Sequence, residues 1–310
     1  MSIGALILRR VLWTIPLIVF VTLATFALLR GAGGDPFQPP EGFAGVPEAY
    51  EQVLRDFYHL DEPWLVEYAY YLKNIATLEF GPSLVQRVLM VGDVIRNSFP
   101  VTLELVALAA AWAIPIGIAV GLYSATHRNR PLDYLLTATA TTFLVVPVFF
   151  VAYVASYYLV REWQVLPFGW DDRGTRATAS LVLALAPIGY IARLVRGAVV
   201  ESLQEDYVRT AAAKGLRRGR ILWVHVLRNS LTPFLSAAVP MLALLVTGAF
   251  FVEDAFRIAG ASSFFAAAAR SRDYPLLMGL TVSLAVVILA ANALADVLLA
   301  LLDPRLRERR

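Results

Sequence analysis

The sequence has 310 residues, 58% of them hydrophobic and 16% charged, with a mean hydropathy of +0.63; this excludes a soluble globular domain and points to a polytopic membrane protein. The formal net charge of +3 comes from basic residues gathered beside apolar blocks, with no separate basic domain, so nucleic acid is not an expected partner. The chain has no cysteine, which excludes disulfides, thiolate metal sites and cysteine nucleophiles.

Arg9 and Arg10 precede an apolar run from Val11 to Leu29. It is long enough to span a bilayer and longer than a signal-peptide core, so it reads as an uncleaved anchor. Residues 31–100 form the only sizeable extramembrane region. Tyr50, Val53, Leu54 and Phe57 recur at helical spacing, as do Trp64, Tyr68, Tyr71, Leu72 and Ile75. This predicts two short amphipathic helices, with Pro63 opening the second. A third is expected from Leu84 to Ile95, lying along the membrane surface. Such stripes pack on one another or offer a docking surface to an external protein.

Five further apolar blocks follow, at about 101–123, 134–160, 177–199, 231–252 and 275–302, giving six spans. In the fourth, the uninterrupted apolar part is short, Ala177 to Ala192, and Arg193 and Arg196 must snorkel at its inner end. Pro115, Pro147, Pro187 and Pro240 fall inside four of the spans and predict kinks. With an inside N-terminus, the inner segments carry sixteen basic residues and the two short outer loops six. That bias places both termini inside.

Span interiors are nearly free of ionisable residues. Glu104 lies near an outer end and Asp296 toward the inner end of the last span, where it should meet Arg193 or Arg196. A P-loop needs Gly-Lys followed by Ser or Thr, yet Lys73 and Lys214, the only lysines, follow Leu and Ala. His59, His127 and His225 stand in separate regions, with no HExxH or nucleophile-elbow pattern around them. These gaps disfavour a self-powered ion-driven carrier and a membrane enzyme.

The polar interval from Glu201 to Pro233 carries Arg209, Lys214, Arg217, Arg218, Arg220 and Arg228, with Arg193 and Arg196 just before it, and should face the cytoplasm. Its first part predicts a helix over Asp206 to Gly215. Ala211, Ala212 and Ala213 are strong helix formers that let another surface approach the backbone, and Gly215 stops the helix. By composition alone the interval reads first as a solvated basic loop that only sets topology.

Its residues carry a resemblance. Asp206 to Leu216, DYVRTAAAKGL, with the following LRN and Pro233, resembles the cytoplasmic coupling loop of ABC importer permeases in its dipeptide and oligopeptide variant. The general pattern, EAA, three residues, then Gly, fits only at Ala211 and Gly215; Arg209 and Thr210 stand where it has Glu and its first Ala. The opening RRVLWTIPLIVFVTLATFALLRGAGGDP, with Gly33, Gly34, Asp35 and Pro36 in its turn, and NALADVLLALLDPRLR near the end, closed by Asp303, Pro304 and Arg305, are also similar to that family. The chain departs from it at Leu78, Glu79, Phe80 and Gly81, and from Phe256 to Phe265.

The resemblance implies an all-α, polytopic membrane protein with six transmembrane helices, a MetI-like ABC importer permease core and an extracytoplasmic insertion between the first two helices. It implies an anchor at 1–30, the insertion at 31–100 and a five-helix core at 101–310 that includes the coupling loop 201–233. The implied function is a permease subunit, not an enzyme, for short peptides; nickel-type ligands are the alternative substrate. It implies as partners a second homologous permease, two ATPase subunits, an extracytoplasmic substrate-binding protein and membrane lipid. No cofactor is expected in this chain, ATP and magnesium belonging to the ATPases. The implied location is the plasma (inner) membrane of a bacterium or archaeon. Asp206, Tyr207, Arg209, Thr210, Ala211, Ala212, Ala213, Lys214 and Gly215 would form the contact with an ATPase, with Ala211 to Ala213 nearest to it.

Overall fold

Long apolar segments must satisfy their own backbone groups, and helices do so within one segment. The computed structural model describes residues 3–31, 37, 47–86 and 89–302, with the backbone alone at 3–11, 218, 228–229, 231–240, 242–244, 294–296 and 298–302. Among these residues no β-strand forms; one isolated bridge joins Pro82 to Met90. The helices in order are α1 (Ile3–Gly31), α2 (Glu48–Tyr58), α3 (Trp64–Thr77), α4 (Val91–Thr126), α5 (Pro131–Val145) and α6 (Val148–Ser156). A π-helical turn, Tyr157–Glu162, extends α6. Then come α7 (Arg173–Ser202), α8 (Asp206–Ala213), α9 (Arg218–Arg220), a second π-helical turn at Ile221–Val226, α10 (Leu227–Phe256), α11 (Ala261–Ser271) and α12 (Tyr274–Leu302). The expected turns at Gly33 to Pro36 and Asp303 to Arg305 lie outside the described residues.

Four described helices are long and apolar enough to cross a membrane, and α5 with α6 and its π turn would make a fifth if the bent pair is one span. The block at 231–252 lies in α10, where many side chains are outside the described set. Two expectations need correction. The kink expected at Pro147 forms, but so sharply that the third block does not run as one helix: α5 and the α6 segment meet at a 94° bend. Pro147 clashes with a helical residue before it, and Val146 accordingly takes an extended conformation, φ −72° and ψ 121°. Nor does a separate surface helix run from Leu84 to Ile95. Leu84 is buried in a turn, and Val91 starts α4, whose 36 residues continue through the apolar block to Thr126. By contrast, Pro187 lies inside α7 without ending it.

The chain divides into two compact units, one built chiefly on Leu103–Ile258, the other on Ile7–Thr102 and Ala259–Ala290. In the first, α7 packs against α5, α6 and α10. Its approach to α5 is close: a Cβ on Gly189 would stand 2.3 Å from the Ala140 carbonyl oxygen. A Cβ on Gly121 of α4 would likewise stand 2.6 Å from the Ala192 oxygen.

In the second unit, α2 and α3 form as the sequence predicts, the second directly after Pro63. The Tyr68 hydroxyl lies 2.9 Å from Thr22 Oγ1 and donates to the Val19 carbonyl at 3.0 Å, joining α3 to α1. Arg30 and Glu67 form an ion pair beside them. Val91, Val94 and Phe99 of α4 pack with Ala261, Ala268, Leu276, Leu277 and Leu280.

Asp273 is the buried polar knot of this unit, 1% exposed. It caps α12 by accepting the Leu276 amide at 3.3 Å, accepts the Leu84 amide at 3.2 Å, and takes the Ser83 hydroxyl as well. Burial raises its pKa above the usual carboxylate range, outweighing the hydrogen bonds that favour the charged form. A raised native pKa means that the folded state holds the proton more tightly than the unfolded chain. Its stability contribution is therefore fully present below the unfolded value of about 3.9 and is lost as pH rises through the native value. Asp273→Asn keeps the cap acceptor and mimics the protonated acid. The variant is expected to gain thermal stability over wild type as pH rises toward neutrality, read as the unfolding midpoint in detergent across pH; parallel curves would refute the assignment.

Candidate functional site

The segment after α7 is built from a helix too short to persist alone, since isolated helices under roughly 12 residues are marginal in water. Helix α8 has eight residues, Asp206–Ala213, and draws support from three places. It packs on the π-helical turn Ile221–Val226, whose Ile221 and Val226 are buried, and turns Ala211 inward to 6% exposure. Tyr207 pairs its hydroxyl with Ser202 at the end of α7. Its C-terminus closes through Gly215 at φ +75°, with the Gly215 amide on the Ala212 carbonyl at 3.0 Å and the Leu216 amide on Ala211 at 3.3 Å. These 5→2 and 6→1 bonds make a Schellman stop. A Cβ on Gly215 would meet nothing within 4 Å, so the demand for glycine is conformational rather than steric.

The outward surface of α8 and its C-cap comprises Asp206, Tyr207, Arg209, Thr210, Ala212, Ala213 and Lys214, all exposed. Asp206 and Arg209 approach to 3.5 Å, but two such solvated charges contribute little. The Thr210 hydroxyl is spent on the Asp206 carbonyl at 2.9 Å. What remains is a smooth alanine step at Ala212 and Ala213 flanked by exposed charged side chains. Thus the predicted alanine run divides: Ala211 belongs to this chain's packing and its two successors to the surface. Arg217 and Arg220 are also exposed, while the Arg218 and Arg228 side chains lie outside the described residues.

The stem of this segment is fixed by a pair that sequence reading missed. Arg196, six residues before the end of α7, makes two hydrogen bonds of 2.8 Å to the carboxylate of Asp133, which is 1% exposed. Ser124 of α4 donates to the same carboxylate at 2.6 Å, and the Asn129 amide at 3.0 Å. One carboxylate thereby joins α4, α5 and α7. Arg196 had been expected to meet Asp296 or snorkel; Asp133 holds it instead, Arg193 is exposed, and the Asp296 side chain lies outside the described residues. The available signal was an acid in the first turn of a Pro-initiated helix, where it satisfies free amides. At the other end of the unit, Glu104 accepts from Arg176 and the Trp170 indole, each at 3.0 Å.

No cluster of three or more His, Cys, Asp or Glu capable of holding a metal occurs among the described residues. His59 stacks on Tyr70 and His127 on Tyr123, as loop and packing residues do.

Comparison with known proteins adds the following. Residues 117–308 match the family described as binding-protein-dependent transport system inner membrane component. The chain is 35% identical over 291 residues to the dipeptide transport system permease protein DppB of Bacillus subtilis, covering 94% of each. It is 35% identical to the oligopeptide transport system permease protein OppB of Salmonella typhimurium, covering 97% of this chain and 98% of that one. Among solved structures, a chain of the inward-facing MetNI methionine ABC transporter aligns with a TM-score of 0.58 at 18% identity, over 68% of this chain and 96% of that one. That likeness is one of fold, and the fold is that of the MetI-like ABC permeases.

The Asp133–Arg196 pair generates a stability prediction. Arg196→Met strands a buried carboxylate and should cost about 3 kcal/mol, whereas adding Asp133→Leu removes the stranded charge and should restore part of that loss. Thermal unfolding of the single and double variants measures it; equal losses in both would contradict the pairing.

Proposed function

We propose, since this chain belongs to the family of binding-protein-dependent transport system inner membrane components, that it forms half of the translocation pathway of an ATP-driven importer of short peptides. It is a transport subunit and not an enzyme, and it sits in the membrane as a multi-pass chain. The observation that carries the mechanical part of the reading is α8: a short helix, closed by Gly215, exposed along Ala212 and Ala213, and rooted in α7. The peptide part is supported by the dipeptide and oligopeptide transport named for its relatives.

In this reading the anchor (1–30) and an extracytoplasmic insertion (31–100) precede a core at 101–310, with both termini cytoplasmic. The core pairs with a second, similar permease, surrounded by lipid, and rests on two ATPase subunits that bind ATP and magnesium. A binding protein delivers substrate from outside. Helix α8 seats in a groove of one ATPase. Ala212 and Ala213 give the close approach, Asp206, Arg209, Thr210 and Lys214 line its rim, and Tyr207, Ala211 and Gly215 hold its shape. Closure of the ATPases on ATP pushes α8 toward the membrane. Because α7 is tied to α4 and α5 through Asp133, the push reaches the bundle as a rigid displacement rather than being absorbed in the loop.

The test is ATPase stimulation by peptide-loaded binding protein in the reconstituted complex, measured with subunit co-purification. Ala212→Trp should hold the helix off its groove and remove most of the stimulation. Gly215→Val should weaken coupling by distorting the turn, a left-handed residue with a side chain costing roughly 1–2 kcal/mol. Arg209→Glu, on a side chain with no fixed structural bond beyond Asp206, separates direct contact from a topological role. Full assembly, stimulation and uptake with bulk at both Ala212 and Gly215 would refute the coupling role.

A further inference from the structure

Beyond the 94° bend at Pro147, α6 and its π-helical turn lie beside the C-terminal end of α10 and border an open concavity of about 820 Å³. Its wall is aromatic: Phe149, Phe150, Tyr153, Tyr157, Tyr158 and Phe168 line it, and all are exposed. Asp254, Arg161 and Arg257 share the same lining. Arg161 lies in the π-helical turn, Asp254 in the last turn of α10 and Arg257 at its end, where charged groups reach water and can meet a solvated ligand. The size and composition are those of a ligand site, apolar with a few convergent polar groups.

The walls are fixed. Ser156 donates to the Ala255 carbonyl at 2.6 Å, the Tyr153 hydroxyl binds the Asp254 carboxylate, and the Gly169 amide donates to the Phe256 carbonyl at 3.1 Å. The Arg257 guanidinium lies 4.7 Å from the Phe168 ring centre. The electrostatics distinguish one end. Asp254 stands in the last turn of α10, where the helix carries its negative end, with rings beside it whose faces attract cations. An ammonium group suits that corner. A carboxylate suits the Arg161 guanidinium, which shares the lining.

We propose that this concavity is a substrate station for short peptides. It takes the free amino terminus at Asp254, side chains against the aromatic wall and the carboxyl end toward Arg161. An extended dipeptide spans roughly 7 Å, which fits within such a volume. The assignment rests on the peptide-importer reading and adds to it the residues that would distinguish free from blocked peptides.

The experiment uses the reconstituted complex of both permeases and both ATPases without binding protein, with Tyr157 replaced by photoreactive p-benzoylphenylalanine and radiolabelled Ala-Phe-Ala as probe. Labelling should be competed by unlabelled Ala-Phe-Ala at about tenfold lower concentration than by its N-acetylated form. Asp254→Asn should abolish that preference. Tyr153→Phe, which removes the hydrogen bond and keeps the carboxylate, should retain it. Absence of labelling, equal competition by the two peptides, or loss of preference in Tyr153→Phe would overturn the station. So would loss of the second permease from the Asp254→Asn complex, which would make this wall a subunit interface. Parallel uptake by wild type with binding protein separates the two levels: no peptide uptake defeats the peptide reading itself, whereas uptake without site preference defeats only the station.

Discussion

The close approach of α7 to its neighbours governs the core unit. Between apolar helices in lipid there is little hydrophobic gain from association, so packing and polar contacts must supply it. Small residues permit this: Gly189 brings α7 onto the backbone of α5 near Ala140, and Gly121 brings α4 onto the backbone of α7 near Ala192. Ala184, Ile188, Ile191 and Val195 fill the spaces between these contacts and are buried. Any side chain added at either glycine would have to displace backbone, which is the costly kind of overpacking. The helices are therefore set at one separation.

That setting gives the buried ion pair its meaning. A carboxylate withdrawn from water is expensive, and the Asp133–Arg196 geometry offsets the expense only because both oxygens are occupied, by Arg196, Ser124 and the Asn129 amide. Such a pair tolerates little relative sliding of α4, α5 and α7. The same helix α7 continues to Ser202, where Tyr207 is bound, and the Ser230 hydroxyl at the start of α10 donates to the Ala198 carbonyl at 3.2 Å. Both chain connections of α8 are thus attached to one rigid element. A short helix mounted in this way is held in place, although alone it would melt.

The legibility of the sequence followed the range of the interactions. Periodicity and turn chemistry are local, so α2, α3 and α8 and the Gly215 stop could be read from residues a few positions apart. Pro147 announced a disturbance, but not its 94° size, which depends on what α6 finds to pack against after the break. Helix α4 was cut short because Asp93, Arg96 and Asn97 look like extramembrane sequence; Val91 and Val94, buried among residues almost two hundred positions later, carry the helix through them. Asp133 was invisible for the same reason. Its partner is 63 residues away, and a lone acid at the edge of an apolar block looks like a loop residue until Arg196 arrives.

The distribution of charge then bears on how such a chain can be driven. Among the described residues of the core unit, Glu104 is engaged by Arg176 and Trp170, and Asp133 by Arg196. Arg176 and Asp133 lie in the first turns of α7 and α5, and Arg196 lies near the end of α7. A carboxylate that cycles protons must exchange between a dry and a wet environment, and its partner must be able to let go. Asp133 is instead pinned by donors on α7, on α4 and in the loop between α4 and α5, so its release would require α5 to part from both helices. In a family whose ATP hydrolysis resides in separate subunits, this is the consistent arrangement: Asp133 and Glu104 are held in place by their donors rather than poised to cycle protons.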